Sequence, residues 1–419
     1  MSKFIVEGGR PLEGNVRISG SKNAALPIIA ASILSKETSV LHDVPDITDV
    51  RIMASIIEDL GGKVEFENNT MKITPGEITT SEIMGEDAKK LRTSLLFLSG
   101  LLARKHDAKV VFPGGCSIGK RPIDTHLRAF EDLGAEVVSS EEVIHIRTTG
   151  LKANRKMRLL EMSVTGAENA IIAAVMADGM TEMRQVPTEP HVQDLCMFLN
   201  KMGAKISGIG TNVLTIEGVS ELHGAEHTVT PDYIEVGTFV IAALVTKGHV
   251  KIENIVPDHL DIFWVFLEEM GAKFELGDDY VEIFPTEKLF AVKKVRSAVF
   301  PDFPTDLLAP MAVLLTQAEG ISRIFETMFE SRLNYIVELE KMRVNAEIIN
   351  NHEAIIVGPA KLRGTLVTSW DLRAGTAMVL AGLAAEGTTE VAEIKYIDRG
   401  YENFECKLTK LGARITREM

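Results

Sequence analysis

Cysteine is scarce in this sequence, and its three copies are scattered. The 419 residues contain only Cys116, Cys196 and Cys406. An odd number of widely separated cysteines excludes a disulfide framework and any zinc site of the CxxC type. The ten histidines show no spacing that is typical of metal ligands. The sequence therefore predicts no metal site.

Long hydrophobic runs are missing as well. A helix that spans a bilayer needs about 20 apolar residues, and the uncharged run 374–385 is far shorter. The first ten residues include Lys3, Glu7 and Arg10 and lack the apolar stretch of a secretory signal. Together these absences predict a cytoplasmic protein with no membrane partner.

Positive charge is in deficit. The chain has 45 Lys and Arg residues against 59 Asp and Glu residues, a net charge of −14. Because nucleic-acid binding depends on basic surface that neutralises phosphates, this balance argues against DNA or RNA as partners. The length predicts two or three domains, at roughly 100–200 residues per domain.

A helix-end signature recurs six times along the chain. A charged residue, Leu or Met, Gly and a small residue precede a β-rich run, with the glycine position at 61, 134, 203, 271, 343 and 412. Glycine suits a helix end because it adopts the left-handed backbone without a Cβ penalty. Arg343 takes its place in the fifth copy, so we expect that cap to be strained or differently shaped.

Each signature belongs to a larger repeated unit. A run of small and apolar residues at helical spacing, such as 22–34 or 168–177, predicts a buried helix. A strand, an amphipathic helix, the glycine cap and a β-hairpin follow it. Six such units predict two globules of three units, divided near residue 230. The segment 3–20 lies outside the units, and we expect its two strands to complete the C-terminal globule, whose last unit stops at residue 419.

The segment around Cys116 is rich in glycine and cationic residues. It resembles a P-loop, but Arg121 stands where Mg²⁺ binding needs Ser or Thr. Lys120 and Arg121 favour the thiolate form of Cys116, so we interpret Cys116 as a reactive thiol. We interpret Cys196 and Cys406, which lie in amphipathic helices, as buried structural residues.

Five arginines with small or apolar neighbours recur near unit edges: Arg92, Arg121, Arg332, Arg373 and Arg399. Guanidinium groups bind carboxylate and phosphate in a bidentate manner, so this recurrence predicts a cationic cleft for small polyanions. Lys22, at the start of the first buried helix, is either part of such an anion site or a solvated surface lysine. Asp306 is either a helix N-cap or a general base.

The sequence resembles the enolpyruvyl transferase family over its whole length. The resemblance is carried by Lys22-Asn23, the loop from Cys116 to Asp124, Pro231-Asp232, the run 303–306, the run 329–332, Asp371-Leu-Arg373 and the run 398–402. It implies an α/β fold of two inverse α/β barrel domains, each with three repeats. Residues 21–230, with the Cys116 loop, form one domain, and residues 1–20 plus 231–419 form the other. The active site is expected in the interdomain cleft.

The resemblance implies transfer of the enolpyruvyl group from phosphoenolpyruvate to the 3-hydroxyl of UDP-N-acetylglucosamine, the first committed step of peptidoglycan synthesis, without a metal or organic cofactor. Cys116, Asp306, Lys22 and Arg399 take the catalytic roles. The residues implied for phosphoenolpyruvate are Lys22, Asn23, Arg121, Arg332, Arg373 and Arg399. Those implied for the nucleotide sugar are Asn23, Arg92, Arg121, Pro122, Ile123, Asp124, Thr125, Ser163, Val164, Asp306 and Met328.

The sequence leaves two alternative functions open. One is the shikimate-pathway synthase of the same family, which works without a reactive thiol. The other is a non-catalytic paralogue that binds UDP-sugars. Glu161, Tyr233 and Arg343 depart from the family pattern, but none of them replaces a residue assigned to chemistry.

Overall fold

The computed structural model describes residues 2–112, 118–119, 121–140 and 142–418. The chain forms two compact units. The described residues of the first unit are 2–19, 118–119 and 231–418, and those of the second are 20–112, 121–140 and 142–230. Residues 118 and 119 belong to the first unit, in which the Ser331 amide donates a hydrogen bond of 3.2 Å to the Ile118 carbonyl. This differs from the sequence prediction, which assigns the whole loop to the domain of its sequence neighbours.

Helices are spread over the whole chain. In the described ranges the α-helices are α1 (Lys22–Ser32), α2 (Thr48–Asp59), α3 (Glu86–Lys90), α4 (Phe97–Lys105), α5 (Asp124–Asp132), α6 (Val164–Ala174), α7 (Pro190–Lys201), α8 (Tyr233–Val245), α9 (Asp261–Glu269), α10 (Leu308–Leu315), α11 (Tyr335–Lys341), α12 (Leu372–Ala384) and α13 (Phe404–Lys410). Short 3₁₀ helices occupy Arg92–Leu96, Pro257–Leu260, Thr305–Leu307, Arg332–Asn334 and Ile394–Arg399. Among these described helices, none is both long and apolar enough to cross a membrane.

Strands alternate with the helices. In the described ranges they are β1 (Lys3–Glu7), β2 (Glu13–Arg17), β3 (Ser39–His42), β4 (Lys63–Glu67), β5 (Thr70–Thr74), β6 (Glu82–Ile83), β7 (Asp107–Val111), β8 (Glu136–Val137), β9 (Val143–Arg147), β10 (Met157–Arg158), β11 (Met180–Arg184), β12 (Lys205–Ser207), β13 (Val213–Glu217), β14 (Glu226–Thr228), β15 (His249–Glu253), β16 (Lys273–Leu276), β17 (Tyr280–Phe284), β18 (Leu289–Phe290), β19 (Lys294–Arg296), β20 (Ala318–Phe325), β21 (Asn345–Asn350), β22 (Glu353–Gly358), β23 (Leu366–Thr368), β24 (Thr388–Ala392) and β25 (Arg414–Glu418).

One sheet pattern repeats six times in the described part of the chain. A leading strand pairs in parallel with the strand that follows the buried helix, and an antiparallel hairpin completes the sheet. In the second unit the sheets are β14-β3-β5-β4, β6-β7-β9-β8 and β10-β11-β13-β12. In the first unit they are β2-β15-β17-β16, β18-β20-β22-β21 with β19 beside β20, and β23-β24-β1-β25. The predicted α/β class and the predicted repetition are confirmed.

The N-terminal strands complete the first unit, as predicted. β1 pairs antiparallel with both β24 and β25, and it takes the place of the missing second hairpin strand of the last repeat. β2 pairs in parallel with β15 and is the leading strand of the fourth repeat. In the second unit the same two positions are filled by consecutive strands, β13 and β14. The first unit is therefore a circularly permuted version of the second.

Buried helices form the interior of each unit. In the second unit α4 packs against α1 and α6, and in the first unit α8, α10 and α12 pack against one another. Nearly every side chain of these helices is buried. Their small residues permit close helix contacts. The N-terminal ends of these central helices carry most of the polar residues considered below.

All six helix caps share one geometry. The residues at the cap position have φ values of +97°, +83°, +103°, +75°, +72° and +94° at positions 61, 134, 203, 271, 343 and 412. Arg343 therefore adopts the left-handed conformation that glycine adopts elsewhere. Its amide donates to the Glu340 carbonyl at 2.9 Å, as the Gly271 amide does to Glu268. The fifth cap is thus strained rather than reshaped, because a Cβ in this region costs about 1–2 kcal/mol.

Candidate active site

Asp306 lies between two arginines in the first unit. One carboxylate oxygen, Oδ1, accepts a hydrogen bond of 2.6 Å from Nη2 of Arg332. The other, Oδ2, accepts bonds from Nε and Nη2 of Arg373 at 3.1 and 2.9 Å. Asp306 makes no helix-capping hydrogen bond. The N-cap interpretation is therefore wrong, and the carboxylate is the shared partner of two guanidinium groups.

The electrostatics of this cluster follow from its burial and its charges. Burial by itself would raise the pKa of the Asp306 carboxyl, but Arg373 and Arg332 hold that pKa well below its usual range. Burial would lower the pKa of Arg332, and the charge of Asp306 raises it above the usual value. Asp306 is therefore fully ionised in the unliganded protein and is a weak base in this state.

Arg332 is fixed from behind by two further side chains. Its Nη1 donates to Oγ1 of Thr305 at 2.6 Å, and the Thr305 hydroxyl donates to Oε2 of Glu326 at 2.6 Å. Oε1 of Glu326 accepts the backbone amide of Met328 at 2.7 Å. Glu326 is fully buried. This chain of bonds holds the Arg332 guanidinium in one orientation.

Arg373 is held less completely. It lies at the start of α12, whose N-cap Asp371 accepts the backbone amide of Arg373 at 2.8 Å. Its guanidinium carbon lies 5.2 Å from the ring centre of Tyr401, a cation–π distance. Nη1 of Arg373 is buried and has no hydrogen-bond partner among the described residues. A buried N–H group without a partner is costly, so this atom is a ready donor for an anion.

Lys22 and Asn23 begin α1 in the second unit. Nζ of Lys22 lies 2.8 Å from Oδ2 of Asp49, and the two side chains are 13% and 1% exposed. The solvated-lysine interpretation is therefore wrong. Asp49 lies in the first turn of α2, where an acidic residue is common for local reasons, and sequence reasoning missed it as a partner of Lys22.

The N-terminal end of α5 brings several predicted residues together. Nη2 of Arg92 donates to the Pro122 carbonyl at 2.9 Å. Ser163 caps α6, and a Cβ added at Gly166 would lie 2.9 Å from Cγ2 of Thr125. The starts of α5 and α6 are thus in close contact. Asp124 and Pro122 are exposed, Ile123 and Thr125 are buried, and Arg121 and Val164 are partly buried.

A neutral polar network lies beneath these helix ends. Nδ1 of His126 accepts from the Asn169 side-chain amide at 2.8 Å, and Nε2 lies 3.2 Å from Oγ1 of Thr165. Asn169 also donates to the Leu95 carbonyl at 3.0 Å and accepts from the Ser99 hydroxyl at 2.6 Å. Burial, together with the charges of Arg92 and Arg121, lowers the pKa of His126 to about 3. His126 is neutral, and sequence reasoning did not single out this network.

The remaining predicted residues have these positions. Arg399 ends the 3₁₀ helix Ile394–Arg399 and is partly buried, whereas Met328 is 38% exposed. Cys116, the predicted reactive thiol, lies outside the described residues. Cys196 is buried as predicted, and burial raises the pKa of its thiol to about 12. Cys406 is exposed, so its assignment to the core is wrong.

The structure thus joins Asp306, Arg332 and Arg373 in one unit and Arg92, Pro122, Thr125 and Ser163 at neighbouring helix ends in the other. Within the described residues, no group of three or more His, Cys, Asp or Glu side chains is arranged to hold a metal ion. Clustered guanidinium groups around one carboxylate are suited to binding an anion and to transferring a proton.

Comparison with known proteins assigns the family. The sequence profile of EPSP synthase (3-phosphoshikimate 1-carboxyvinyltransferase) matches residues 6–408. The chain belongs to the EPSP synthase family. Within this family, a UDP-N-acetylglucosamine 1-carboxyvinyltransferase from Halothermothrix orenii is 44% identical over 417 residues, which cover 100% of both chains. A UDP-N-acetylglucosamine 1-carboxyvinyltransferase 2 from Bacillus subtilis is 41% identical over 418 residues, which cover 100% of this chain and 97% of the relative.

Two solved structures share the fold. The enolpyruvyl transferase NikO from Streptomyces tendae superposes with a TM-score of 0.89 at 23% identity, covering 100% of this chain and 99% of NikO. EPSP synthase from Acinetobacter baumannii gives a TM-score of 0.78 at 18% identity and covers 100% of both chains. At these identities the likeness concerns the fold alone.

Proposed function

We propose that this chain transfers the enolpyruvyl group of phosphoenolpyruvate to the 3-hydroxyl of UDP-N-acetylglucosamine and releases phosphate. The proposal rests on the end-to-end similarity to UDP-N-acetylglucosamine 1-carboxyvinyltransferases at 41–44% identity. The cluster of Asp306 with Arg332 and Arg373 supports it, because this reaction needs both an anion site and a base. The reaction would be the first committed step of peptidoglycan synthesis, in the cytoplasm.

The proposed reaction has two stages, an addition and an elimination. Asp306 takes the proton of the sugar 3-hydroxyl as that oxygen forms a bond to C2 of phosphoenolpyruvate, while C3 gains a proton. Loss of phosphate from C2 and of a proton from C3 then restores the double bond in the product. A positioned acid or base contributes typically about 10²–10⁴-fold to such a step. Cys116 would protonate C3 or form an adduct with phosphoenolpyruvate, and both roles fit a reactive thiol.

Different cationic residues would bind the phosphate and the carboxylate of phosphoenolpyruvate. Lys22, Arg121 and Arg399 would hold the phosphate of phosphoenolpyruvate, and Arg332 and Arg373 would hold its carboxylate, with Asn23 beside Lys22. Fixed cations of this kind orient the substrate and stabilise charge that develops during the reaction. The nucleotide sugar would contact Asn23, Arg92, the residues 121–125, Ser163, Val164, Asp306 and Met328.

Acceptor specificity tests the proposal. Phosphate release is measured with phosphoenolpyruvate and either UDP-N-acetylglucosamine or shikimate 3-phosphate. We expect release with the nucleotide sugar only. Release with shikimate 3-phosphate alone would identify the shikimate-pathway synthase instead, and no release with either acceptor would favour a non-catalytic sugar-binding protein.

A second measurement tests the thiol. We expect fosfomycin, an epoxide, to add covalently to Cys116 when UDP-N-acetylglucosamine is present, and the Cys116→Ser variant to stay unmodified. Intact-protein mass spectrometry reports the adduct. An unmodified wild-type chain would remove Cys116 from the proposed mechanism.

A further inference from the structure

Asp306 is the most exposed member of its cluster with Arg332 and Arg373. The side chains of Arg332 and Arg373 are 6% and 3% exposed, whereas that of Asp306 is 26% exposed. The carboxylate thus occupies the accessible side of both guanidinium groups. A substrate carboxylate that pairs with Nη2 of Arg332 or with Nε and Nη2 of Arg373 must therefore displace Asp306 from these atoms.

The charges around the cluster make simple addition of another anion unfavourable. Asp371 and Glu326 act on Arg332 from behind, and Asp232 and the Tyr401 hydroxyl act on Arg373. The two guanidinium groups are therefore already matched or outnumbered by carboxylates. A substrate carboxylate would add one more negative charge beside the two guanidinium groups. This excess is avoided only if Asp306 moves away from them or accepts a proton.

The two arginines differ in how firmly they are held. Arg332 has an anchor that is independent of Asp306, namely Thr305 backed by Glu326. The Arg373 guanidinium interacts with Asp306 and with the Tyr401 hydroxyl, and among the described residues its buried Nη1 has no hydrogen-bond partner. An incoming carboxylate therefore gains most at Arg373.

We propose that the carboxylate of phosphoenolpyruvate displaces Asp306 from Arg373 and that this exchange turns Asp306 from an ion-pair partner into the proton acceptor of the reaction. This inference rests on the proposed function. Two carboxylates compete for one guanidinium, so the base becomes active only when the electrophile is bound. The released carboxylate then takes the sugar hydroxyl proton, and the substrate carboxylate replaces it as the ionised partner of Arg373.

Binding affinity tests the competition directly. Full-length chains carry Cys116→Ser, so that the thiol cannot trap the ligand, with or without Asp306→Asn. Dissociation constants for phosphoenolpyruvate and for inorganic phosphate are measured by titration calorimetry. Removing the competing charge should tighten phosphoenolpyruvate binding about tenfold or more, since close charge pairs couple by about 1.5 kcal/mol or more. Phosphate, which lacks the carboxylate, should bind as in the parent.

The control is Glu353→Gln, which removes a carboxylate from a more exposed ion pair, with Arg323 at 3.0 Å. It should change neither affinity. If Asp306→Asn no longer binds phosphate, Asp306→Ser is measured in its place and judged in the same way.

The outcomes separate this inference from the function on which it rests. An affinity gain for phosphoenolpyruvate that exceeds the gain for phosphate supports the exchange. Equal gains indicate only a long-range charge effect and overturn it, as does unchanged or weaker binding of phosphoenolpyruvate. A wild-type chain that releases no phosphate with UDP-N-acetylglucosamine overturns the proposed function, and the exchange with it. A wild-type chain that turns over while Asp306→Asn shows no specific gain overturns the exchange alone.

Discussion

Each of the two units contains a buried polar cluster near the ends of its central helices, but the two clusters differ in charge. In the first unit Asp306 is shared by Arg332 and Arg373. In the second unit His126 and Asn169 form an uncharged network in which both ring nitrogens of His126 have partners. The neutral network is complete without a ligand. In the charged cluster, Nη1 of Arg373 has no hydrogen-bond partner among the residues that the structure describes.

This difference separates a structural role from a functional one. Satisfied neutral hydrogen bonds mainly specify how helices pack. Ionised groups at a partly exposed position keep a large interaction energy that a charged ligand can redirect. We therefore assign chemistry to the Asp306 cluster and support of the α5 and α6 ends to the His126 network. Three predictions test this contrast in order of decreasing effect, and a fourth, with the smallest effect, concerns a helix cap.

The largest effect should come from the charge of Asp306. We expect Asp306→Asn to lower the rate of phosphate release by about 10²–10⁴-fold, because the proton acceptor is lost. Steady-state kinetics with UDP-N-acetylglucosamine measures this. Glu353→Gln, which also breaks a carboxylate–arginine pair, should keep the wild-type rate. A loss of less than threefold in Asp306→Asn would remove Asp306 from the chemistry.

The next effect concerns stability. Arg332→Met should lower the free energy of unfolding by about 3 kcal/mol, because a buried pair loses one partner. Asn169→Leu should cost less, about 1–3 kcal/mol, since only neutral bonds are lost. Urea unfolding followed by circular dichroism compares the two variants. An equal or larger cost for Asn169→Leu would contradict the contrast drawn here.

The two clusters should respond to pH in different windows. His126 has a pKa of about 3 in the folded protein against an ordinary value of 6.5. Below pH 6.5 the unfolded chain therefore binds a proton that the folded chain does not bind, and stability falls with pH down to about 3. At pH 5 this loss should be about 2 kcal/mol. His126→Asn should lack it when unfolding free energies are compared at pH 7 and pH 5.

Asp306 provides the matched control for that experiment. Its pKa is depressed in the folded state, so its stabilising contribution is present above the unfolded value of about 3.9 and is lost only as pH falls below it. The stability of Asp306→Asn should therefore change in parallel with the wild type between pH 7 and pH 5. If the stability of Asp306→Asn did not fall between pH 7 and pH 5 while that of His126→Asn still fell, the loss would have to be assigned to Asp306 and not to His126.

The smallest effect concerns a helix cap in the first unit. Arg343 has a φ of +72°, so Arg343→Gly should raise the free energy of unfolding by about 1 kcal/mol. Gly412→Arg, at the equivalent cap with a φ of +94° and no atom within 4 Å of an added Cβ, should lower it by a similar amount. Thermal and urea unfolding measure both variants. A destabilised Arg343→Gly would show that the arginine side chain contributes more than its backbone costs.

Local patterns were predictable where neighbouring residues determine the structure. The β-hairpin predicted after the first glycine cap is formed by β4 and β5, and its two turn residues, Asn68 and Asn69, have φ values of +48° and +58°. The caps and the buried helices follow in the same way from residues within a few positions of each other. The placement of β1 was also predictable, because the last repeat lacks a strand.

The leading strands were not predicted, apart from β2. β6, β10 and β18 contain two residues each, which is too short for an alternating pattern. These three short strands form because the edges of β7, β11 and β20 supply their hydrogen-bond partners. Cys406 was misassigned for a related reason, since apolar neighbours in sequence do not show which face of α13 is covered.

The six repeats, their division into two sets of three and the family could be inferred from the amino-acid sequence, since these depend on spacing and on motifs within short segments. The partners of the charged groups became known from the folded structure. Asp306 meets residues 26 and 67 positions away, and Lys22 meets Asp49. Coulomb interactions depend on distance in space and on burial. Neither quantity exists until the helices pack, so the state of the candidate base could be known only from the fold.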